Sequence, residues 1–172
     1  MSLSIAELNA LDPEAAAGRL RDCCGASAWV RWMVARRPFR SLEHLLTEAE
    51  AAWRALGDDE QAEAFAHHPR IGAGETRVPV SHVASGWSAG EQRSAQAANE
   101  GVRAALVEAN AAYERRFGRI YVVCATGLRA EDILRDVERR LGNDADTERR
   151  VAAAEQAKIT MLRLRKLIGE DR

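Results

Sequence analysis

Signals that begin and end α-helices recur along almost the whole chain, and they leave little room for another kind of secondary structure. Ser4-Ile-Ala-Glu7 has the pattern of a capping box, in which the side chains at the two ends accept each other's backbone N–H groups. Asp12 followed by Pro13 fits an N-cap and the first helical residue. Further helices are predicted after caps at Ser27, Ser41, Ser88 and Thr147, and over residues 58–67 and 130–141. The helix after Ser88 is expected to run to about residue 116.

A single stretch, "RIYVVCATG" (119–127), has the β-branched composition of an extended segment. It is short and has no second such stretch to pair with, so an extended connector packed inside the protein is expected rather than a sheet. Residues 68–87 hold several glycines and prolines without a sustained period, and a loop is predicted there. A length of 172 residues suits one domain. The predicted fold is all-α, a single domain over residues 1–172 with about seven or eight helices.

The composition argues against two classes of partner. The net charge is −1, with acidic residues interleaved among the arginines, so neither nucleic acid nor an anionic membrane is an expected partner. No apolar run approaches the roughly 18 residues of a membrane span, and the first residues lack the pattern of a secretory signal. Cys23, Cys24 and Cys124 lack metal-site spacing and are expected to be buried thiols. A cytoplasmic protein is therefore expected.

The first candidate for chemistry is His68, in the stretch "HHPRIGAGE" (67–75). It follows a predicted helix end, and Pro69 stiffens the backbone beside it, which would fix the direction of the imidazole for acid–base chemistry. The alternative is purely structural, because helix ends favour cationic side chains and proline stops helices. Arg70 is expected to pair with an acidic neighbour. His67, His68 and His82 have no zinc-motif spacing, so no metal site is predicted.

Two further candidates lie in the predicted helices. Ser88-Ala-Gly-Glu91 has the pattern of a capping box, and the amide groups of a helix N-terminus also attract anions, so Glu91 could anchor the N–H or O–H groups of a small ligand, with Gln92 beside it. Arg163 lies in an apolar row of the last helix with Ile159 and Leu167. An arginine in such a row either extends to solvent or binds an anion.

Five segments in order resemble a known family: "HPRIG" (68–72), "SAGEQ" (88–92), "NAAYERRFGRIYVVCATG" (110–127), "RRLGND" (139–144) and "EQAKITMLRLRKL" (155–167). The family is that of the 2-oxo-4-hydroxy-4-carboxy-5-ureidoimidazoline (OHCU) decarboxylases. The resemblance implies an all-helical homodimer that uses neither metal nor organic cofactor. It also implies removal of CO2 from OHCU to leave (S)-allantoin during urate breakdown.

The resemblance further implies roles for individual residues. It gives catalytic roles to His68, Glu91 and Arg163, and substrate-binding roles to Pro69, Ser88, Glu91, Gln92, Arg119, Ile120, Tyr121, Val122, Val123 and Arg163. This chain departs from the family pattern at two of these positions, since many members have an aromatic residue in place of Arg119 and phenylalanine in place of Tyr121. Two alternatives stay open: a non-catalytic helical interaction module, and a decarboxylase of another ureido or hydantoin-like acid.

Overall fold

The structure, a computed structural model, describes residues 2–71 and 81–169. Ten α-helices and no β-strand lie in these ranges, which confirms the all-α prediction. The helices are α1 (Ile5–Ala10), α2 (Pro13–Cys23), α3 (Ser27–Ala35), α4 (Leu42–Arg54), α5 (Asp58–Ala66), α6 (His82–Glu91), α7 (Arg93–Ala97), α8 (Glu100–Phe117), α9 (Ala130–Arg140) and α10 (Ala145–Ile168). No helix in the described ranges combines the length and the apolar character that crossing a membrane requires. Residues 72–80 of the loop predicted over 68–87 lie outside the described residues.

The chain divides into two compact units, which are taken one at a time. The first contains the residues up to Ala64 and those from Ala157 onward, and thus α1 to α4, most of α5 and the second half of α10. The predicted capping box of α1 is present, with the Glu7 N–H donating to Ser4 Oγ at 3.1 Å and the Ser4 N–H donating to Glu7 Oε2 at 2.7 Å. Trp29, fully buried, donates its indole N–H to the carbonyl of Ala49 on α4 at 3.0 Å. This bond joins α3 to α4 inside the apolar core.

Two predicted caps are wrong by a few residues. Ser27 is the first residue of α3 rather than its cap, and both its N–H (3.0 Å) and its hydroxyl (2.6 Å) donate to the Glu63 carboxylate of α5. Thr147 lies in the first turn of α10, and its N–H donates to the side chain of Asp144 at 2.8 Å. The cause is the same in both cases: hydroxyl residues are common in first turns as well as at caps, and a distant or neighbouring carboxylate takes the capping role.

The second unit, Phe65–Gln156, corrects the prediction of one long helix over 88–116. Three helices replace it, and residues 82–87, expected in a loop, are helical. Ser81 caps α6 by accepting the Ala84 N–H at 3.0 Å, and Asn99 caps α8 by accepting the Val102 N–H at 2.9 Å. The glycines of the α6 sequence lower helix propensity, which is why the pattern favoured a loop. The two extra breaks bring the number of helices in the described ranges to ten.

The core of the second unit forms around α8, α9 and the segment between them. Gly118 ends α8 in the left-handed conformation (φ 69°), and residues 119–125 then run without helix or strand. We call residues 119–125 the connector. The side chains of Tyr121, Val123 and Ala125 lie in a buried cluster with residues of the two helices that include Leu106, Tyr113, Ile133 and Val137, and Ile120 and Val122 are buried as well. The prediction of an extended connector packed inside the protein is confirmed.

Candidate active site

His68 lies just beyond the end of α5, with its side chain only 8% exposed. Its N–H donates to the carbonyl of Phe65 at 3.1 Å, which closes the turn, and Pro69 prevents the helix from continuing. The imidazole Nε2 lies 2.6 Å from Oε1 of Gln156 on α10, whose side chain is fully buried (0% exposed). A titratable ring therefore lies in a buried place with its orientation set by a hydrogen bond.

The end of α6 lies beside this turn. Gln92 follows α6 as its C-cap and donates its side-chain N–H to the carbonyl of Pro69 at 3.3 Å. Ser88, Glu91 and Gln92 are all buried. The structure therefore brings the "HP" and "SAGEQ" motifs together, as expected of residues that share a site.

The helical setting of Ser88 and Glu91 differs from the prediction. Both residues lie in the last turn of α6, and the N–H of Gln92 donates to the carbonyl of Ser88 at 3.0 Å. The expected capping box and N-terminal anion site are therefore wrong. Glu91 is instead a buried carboxylate at the carbonyl end of a helix, where the peptide dipoles do not favour an anion. Groups that donate hydrogen bonds must stabilise its charge instead.

A buried cation holds the connector from the interior of the second unit. Arg140, at the end of α9 and fully buried, donates from Nη1 to the carbonyl of Val122 at 2.9 Å. Its Nε and Nη2 donate to Glu148 Oε1 at 2.9 and 2.5 Å, and its guanidinium lies 4.6 Å from the ring centre of Tyr121. Burial opposes the charged form, but Glu148 outweighs it and raises the pKa of Arg140. The guanidinium therefore stays charged and fixes a main-chain group of the connector.

The rest of this network is made by tyrosines and carboxylates. Tyr113 also donates its hydroxyl to Glu148, while Tyr121 donates to Asp136 Oδ2 at 2.7 Å. Burial and the bond to Glu148 raise the pKa of Tyr113 to about 12, and burial with the bond to Asp136 raises the pKa of Tyr121 as well. Both phenols therefore remain protonated donors at neutral pH. The Tyr121 side chain supports the connector from inside, so any substrate contact it makes is through the main chain.

A second anchor comes from α10. Glu155 accepts the N–H of Cys124, at the far end of the connector, at 2.9 Å. The next residue, Gln156, contacts the imidazole of His68. Two consecutive side chains of one helix thus position the connector and the candidate acid–base group.

Arg163 belongs to the first unit, where it is 4% exposed. Its Nη1 donates to the carbonyl of Asp22 at 3.3 Å, so the alternative of an arginine extending to solvent is wrong. The Arg163 charge also acts on the Cys24 thiol. Burial raises the pKa of that thiol to about 11, whereas the positive charge of Arg163 lowers it. Arg163 is therefore a buried cation.

The comparisons with known proteins identify the family. The model of the OHCU decarboxylase family matches residues 9–165. The chain belongs to the OHCU decarboxylase family. It is 30% identical over 152 residues to the mouse 2-oxo-4-hydroxy-4-carboxy-5-ureidoimidazoline decarboxylase, covering 88% of this chain and 84% of the mouse protein. A crystal structure of OHCU decarboxylase in the presence of (S)-allantoin superimposes with a TM-score of 0.75 at 27% identity, covering 88% of this chain and 97% of that chain.

A longer relative also matches. The bifunctional uric acid degradation protein TTL of Arabidopsis thaliana is 32% identical over 152 residues, which cover 86% of this chain but 46% of that protein. The corresponding share of the bifunctional protein from Bacillus sp. is 28%. The chain therefore spans less than half the length of these bifunctional relatives.

Several residues of this OHCU decarboxylase family member were not expected to matter. Arg140, Glu148, Glu155 and Gln156 hold the connector or the imidazole, yet none was a candidate. Three of the four lie in "RRLGND" and "EQAKITMLRLRKL", segments that already carried the family resemblance, and that was the available signal. Their roles require contacts between residues far apart in sequence, which one sequence does not reveal.

Arg70 and Arg119 contact neighbouring side chains of the protein. Arg70 pairs with Glu114, with N–O distances of 2.6 and 3.0 Å, as expected. The guanidinium of Arg119 lies 5.8 Å from the ring centre of Phe117, and its Nε and Nη2 are buried. The Arg119 side chain thus fills the space beside Phe117. Within the described ranges, no group of three or more His, Cys, Asp and Glu side chains has an arrangement that could hold a metal ion.

Proposed function

We propose that this chain catalyses the cofactor-independent decarboxylation of OHCU to (S)-allantoin and CO2 in urate breakdown. Membership of the OHCU decarboxylase family supports the substrate class. The observation that carries the chemistry is the buried imidazole of His68, held by Gln156 immediately after a helix end. An imidazole can both give and take a proton, and this one has a set direction, which stereospecific proton transfer needs.

The substrate's own structure explains why such a site is enough. The carboxylate of OHCU is attached to a carbon that carries a hydroxyl, next to a π-system that can accept electrons. When CO2 leaves, the electron pair of the broken C–C bond enters that π-system. The nitrogen of that π-system takes a proton, the hydroxyl loses its proton to become a carbonyl, and the neighbouring carbon gains a proton, so that overall the carboxylate is replaced by one proton. The protein has to hold the ring and deliver that proton to one face.

The roles follow from the residue types. His68 takes the hydroxyl proton or supplies the new C–H proton. Glu91, a buried carboxylate, accepts hydrogen bonds from ureido or ring N–H groups. Arg163, a buried guanidinium, binds a carbonyl or carboxylate oxygen and stabilises developing negative charge. That these three groups converge on one substrate stays a prediction.

The remaining substrate contacts are proposed as follows. The rigid turn at Pro69 and the polar side chains of Ser88 and Gln92 border the ring, and Gln92 also keeps the Pro69 carbonyl in place. Main-chain groups of Arg119, Ile120, Tyr121, Val122 and Val123 bind the flat amide edges. The interior anchoring of Val122 and Cys124 supports this, because a rigid backbone presents its polar groups without an ordering cost.

The test generates OHCU in place from urate with urate oxidase and hydroxyisourate hydrolase, and follows circular dichroism as allantoin forms. The protein should speed formation of (S)-allantoin beyond the racemic spontaneous background. His68→Asn should abolish this acceleration while leaving the far-ultraviolet helical spectrum unchanged. Optical activity that grows no faster with the protein than without it would point to another ureido acid as substrate. A fully active His68→Asn protein would refute the role of the imidazole.

We further propose a cytoplasmic homodimer in which residues 1–172 act as one catalytic domain, supported by a family match that includes residues of both compact units. Light scattering on the purified chain tests the dimer. A non-catalytic interaction module has less support. The large apolar side chains with substantial exposure in the described ranges are Val83 and Val107, on different helices, and they do not form an apolar stripe.

A further inference from the structure

The contact between Gln156 and His68 indicates which nitrogen of the imidazole carries the hydrogen. Gln156 Oε1 lies 2.6 Å from Nε2 of the imidazole, and neither side chain is substantially exposed. A carboxamide oxygen has lone pairs and no proton, so it can only accept in this bond. The hydrogen between the two atoms must then belong to the imidazole. A neutral imidazole has one N–H, and this contact requires it on Nε2.

We propose that Gln156 is a positioning residue that selects the Nε2–H tautomer of His68 and so assigns the basic lone pair to Nδ1. This inference rests on the proposed function for its catalytic meaning, though not for the tautomer itself. In the neutral ring the nitrogen without hydrogen is the one that can take a proton. Proton exchange with the substrate is thereby directed to Nδ1, and the ring is kept from presenting the wrong nitrogen.

The choice of a glutamine has a chemical consequence. Glutamine accepts a hydrogen bond without adding a charge, whereas a carboxylate at the same place would stabilise the imidazolium and weaken the ring as a base. The neighbouring carboxylate, Glu155, is used elsewhere, since it accepts the N–H of Cys124. Successive residues of a helix point about 100° apart, so the two side chains serve different targets. The charged acceptor, Glu155, therefore binds the connector, and the neutral acceptor, Gln156, contacts the imidazole.

The tautomer can be measured without any turnover. In protein labelled with 15N at histidine, long-range 1H–15N spectra distinguish a nitrogen that carries hydrogen from one that does not, and His68→Asn identifies the signals of His68. We expect Nε2–H for the neutral His68 ring of the full-length protein. His44 is an internal control, because its Nδ1 accepts the N–H of Arg40 at 3.1 Å and it must also carry hydrogen on Nε2. A His68 ring with hydrogen on Nδ1 would mean that Gln156 donates instead, and would overturn the proposal.

Three variants extend the measurement. Gln156→Leu removes the acceptor, so the His68 ring should become a mixture of tautomers. Gln156→Glu keeps an acceptor oxygen and should keep Nε2–H, which makes it the conservative rescue if the leucine variant fails to fold. Gln61→Leu makes the same chemical change on α5, where the side-chain oxygen is buried and has no hydrogen bond to another described residue. The His44 signals should be unaffected in all three, and the His68 signals should be unaffected in Gln61→Leu.

Activity provides the second readout. Loss of an outer partner that orients a reacting imidazole is expected to lower kcat about 10–100-fold with a much smaller change in KM. Gln61→Leu should keep the kcat of the original protein. An unchanged tautomer and an unchanged kcat in folded Gln156→Leu would overturn the proposal. If the original protein shows Nε2–H but does not act on OHCU, the proposed substrate fails while the assignment of the tautomer stands.

Discussion

Replacing Arg140 with methionine tests whether the buried cation network is needed for stability. The change keeps side-chain length and helix propensity but removes the bonds to Glu148 and to the Val122 carbonyl. Glu148 would be left fully buried with Tyr113 and Asn143 as its remaining donors in the network. Breaking a buried pair by removing one partner costs about 3–5 kcal/mol, because the other charge stays behind. At about 2–4 °C per kcal/mol for a chain of this size, Tm should fall by roughly 6–20 °C.

The neighbouring arginine provides a matched control. Arg139 has a side chain 64% exposed and pairs with Asp136 on the same helix, so Arg139→Met should change the free energy of unfolding by less than about 1 kcal/mol. Both variants are measured by urea and thermal unfolding followed by circular dichroism. Adding Glu148→Gln to Arg140→Met should recover part of the loss, because the uncompensated charge is then gone. If Arg140→Met unfolds within the error of Arg139→Met, the network does not stabilise the fold as argued.

Three further outcomes are expected. Burial would raise the pKa of Asp136, yet the hydrogen bonds and arginines around it hold that pKa below its usual range. Its ionisation thus stabilises the fold above about pH 4 and loses this effect as pH falls. The stability gap between the original protein and Asp136→Asn should therefore narrow on acidification from pH 7 to pH 3 in urea titrations. Cys24, with its pKa raised to about 11 by burial, should be alkylated by iodoacetamide at pH 8 far more slowly than the partly exposed Cys124, as peptide mapping by mass spectrometry would show. Glu63→Ala should cost about 1–2 kcal/mol in urea unfolding, because both donors of Ser27 lose their acceptor.

The parts of the fold that could be predicted are those set by neighbouring residues. The capping box at Ser4 and the Asp12–Pro13 start depend on residues within one turn, and both are present in the structure. The predicted helix start at Ser88 was wrong because the helix is capped at Ser81, and the glycine-containing segment that follows is helical despite its weak helix propensity. The predicted caps at Ser27 and Thr147 were wrong because a hydroxyl residue alone does not distinguish an N-cap from a position in the first turn.

In the candidate site too, features set by neighbouring residues could be predicted, and features set by residues far apart in sequence could not. A restricted direction of the His68 side chain could be predicted because the elements that restrict it, a helix end and Pro69, are adjacent in sequence. Its hydrogen-bond partner is 88 residues away, so nothing local points to Gln156. The connector is similar: its extended, buried character follows from its own β-branched residues, while the cation that holds Val122 is 18 residues further on, at the end of α9. Local sequence therefore identifies which groups could react, and distant buried polar residues determine the direction in which they are held. Substitutions such as Gln156→Leu, at positions that need not touch the substrate, should consequently change turnover more than the affinity for substrate.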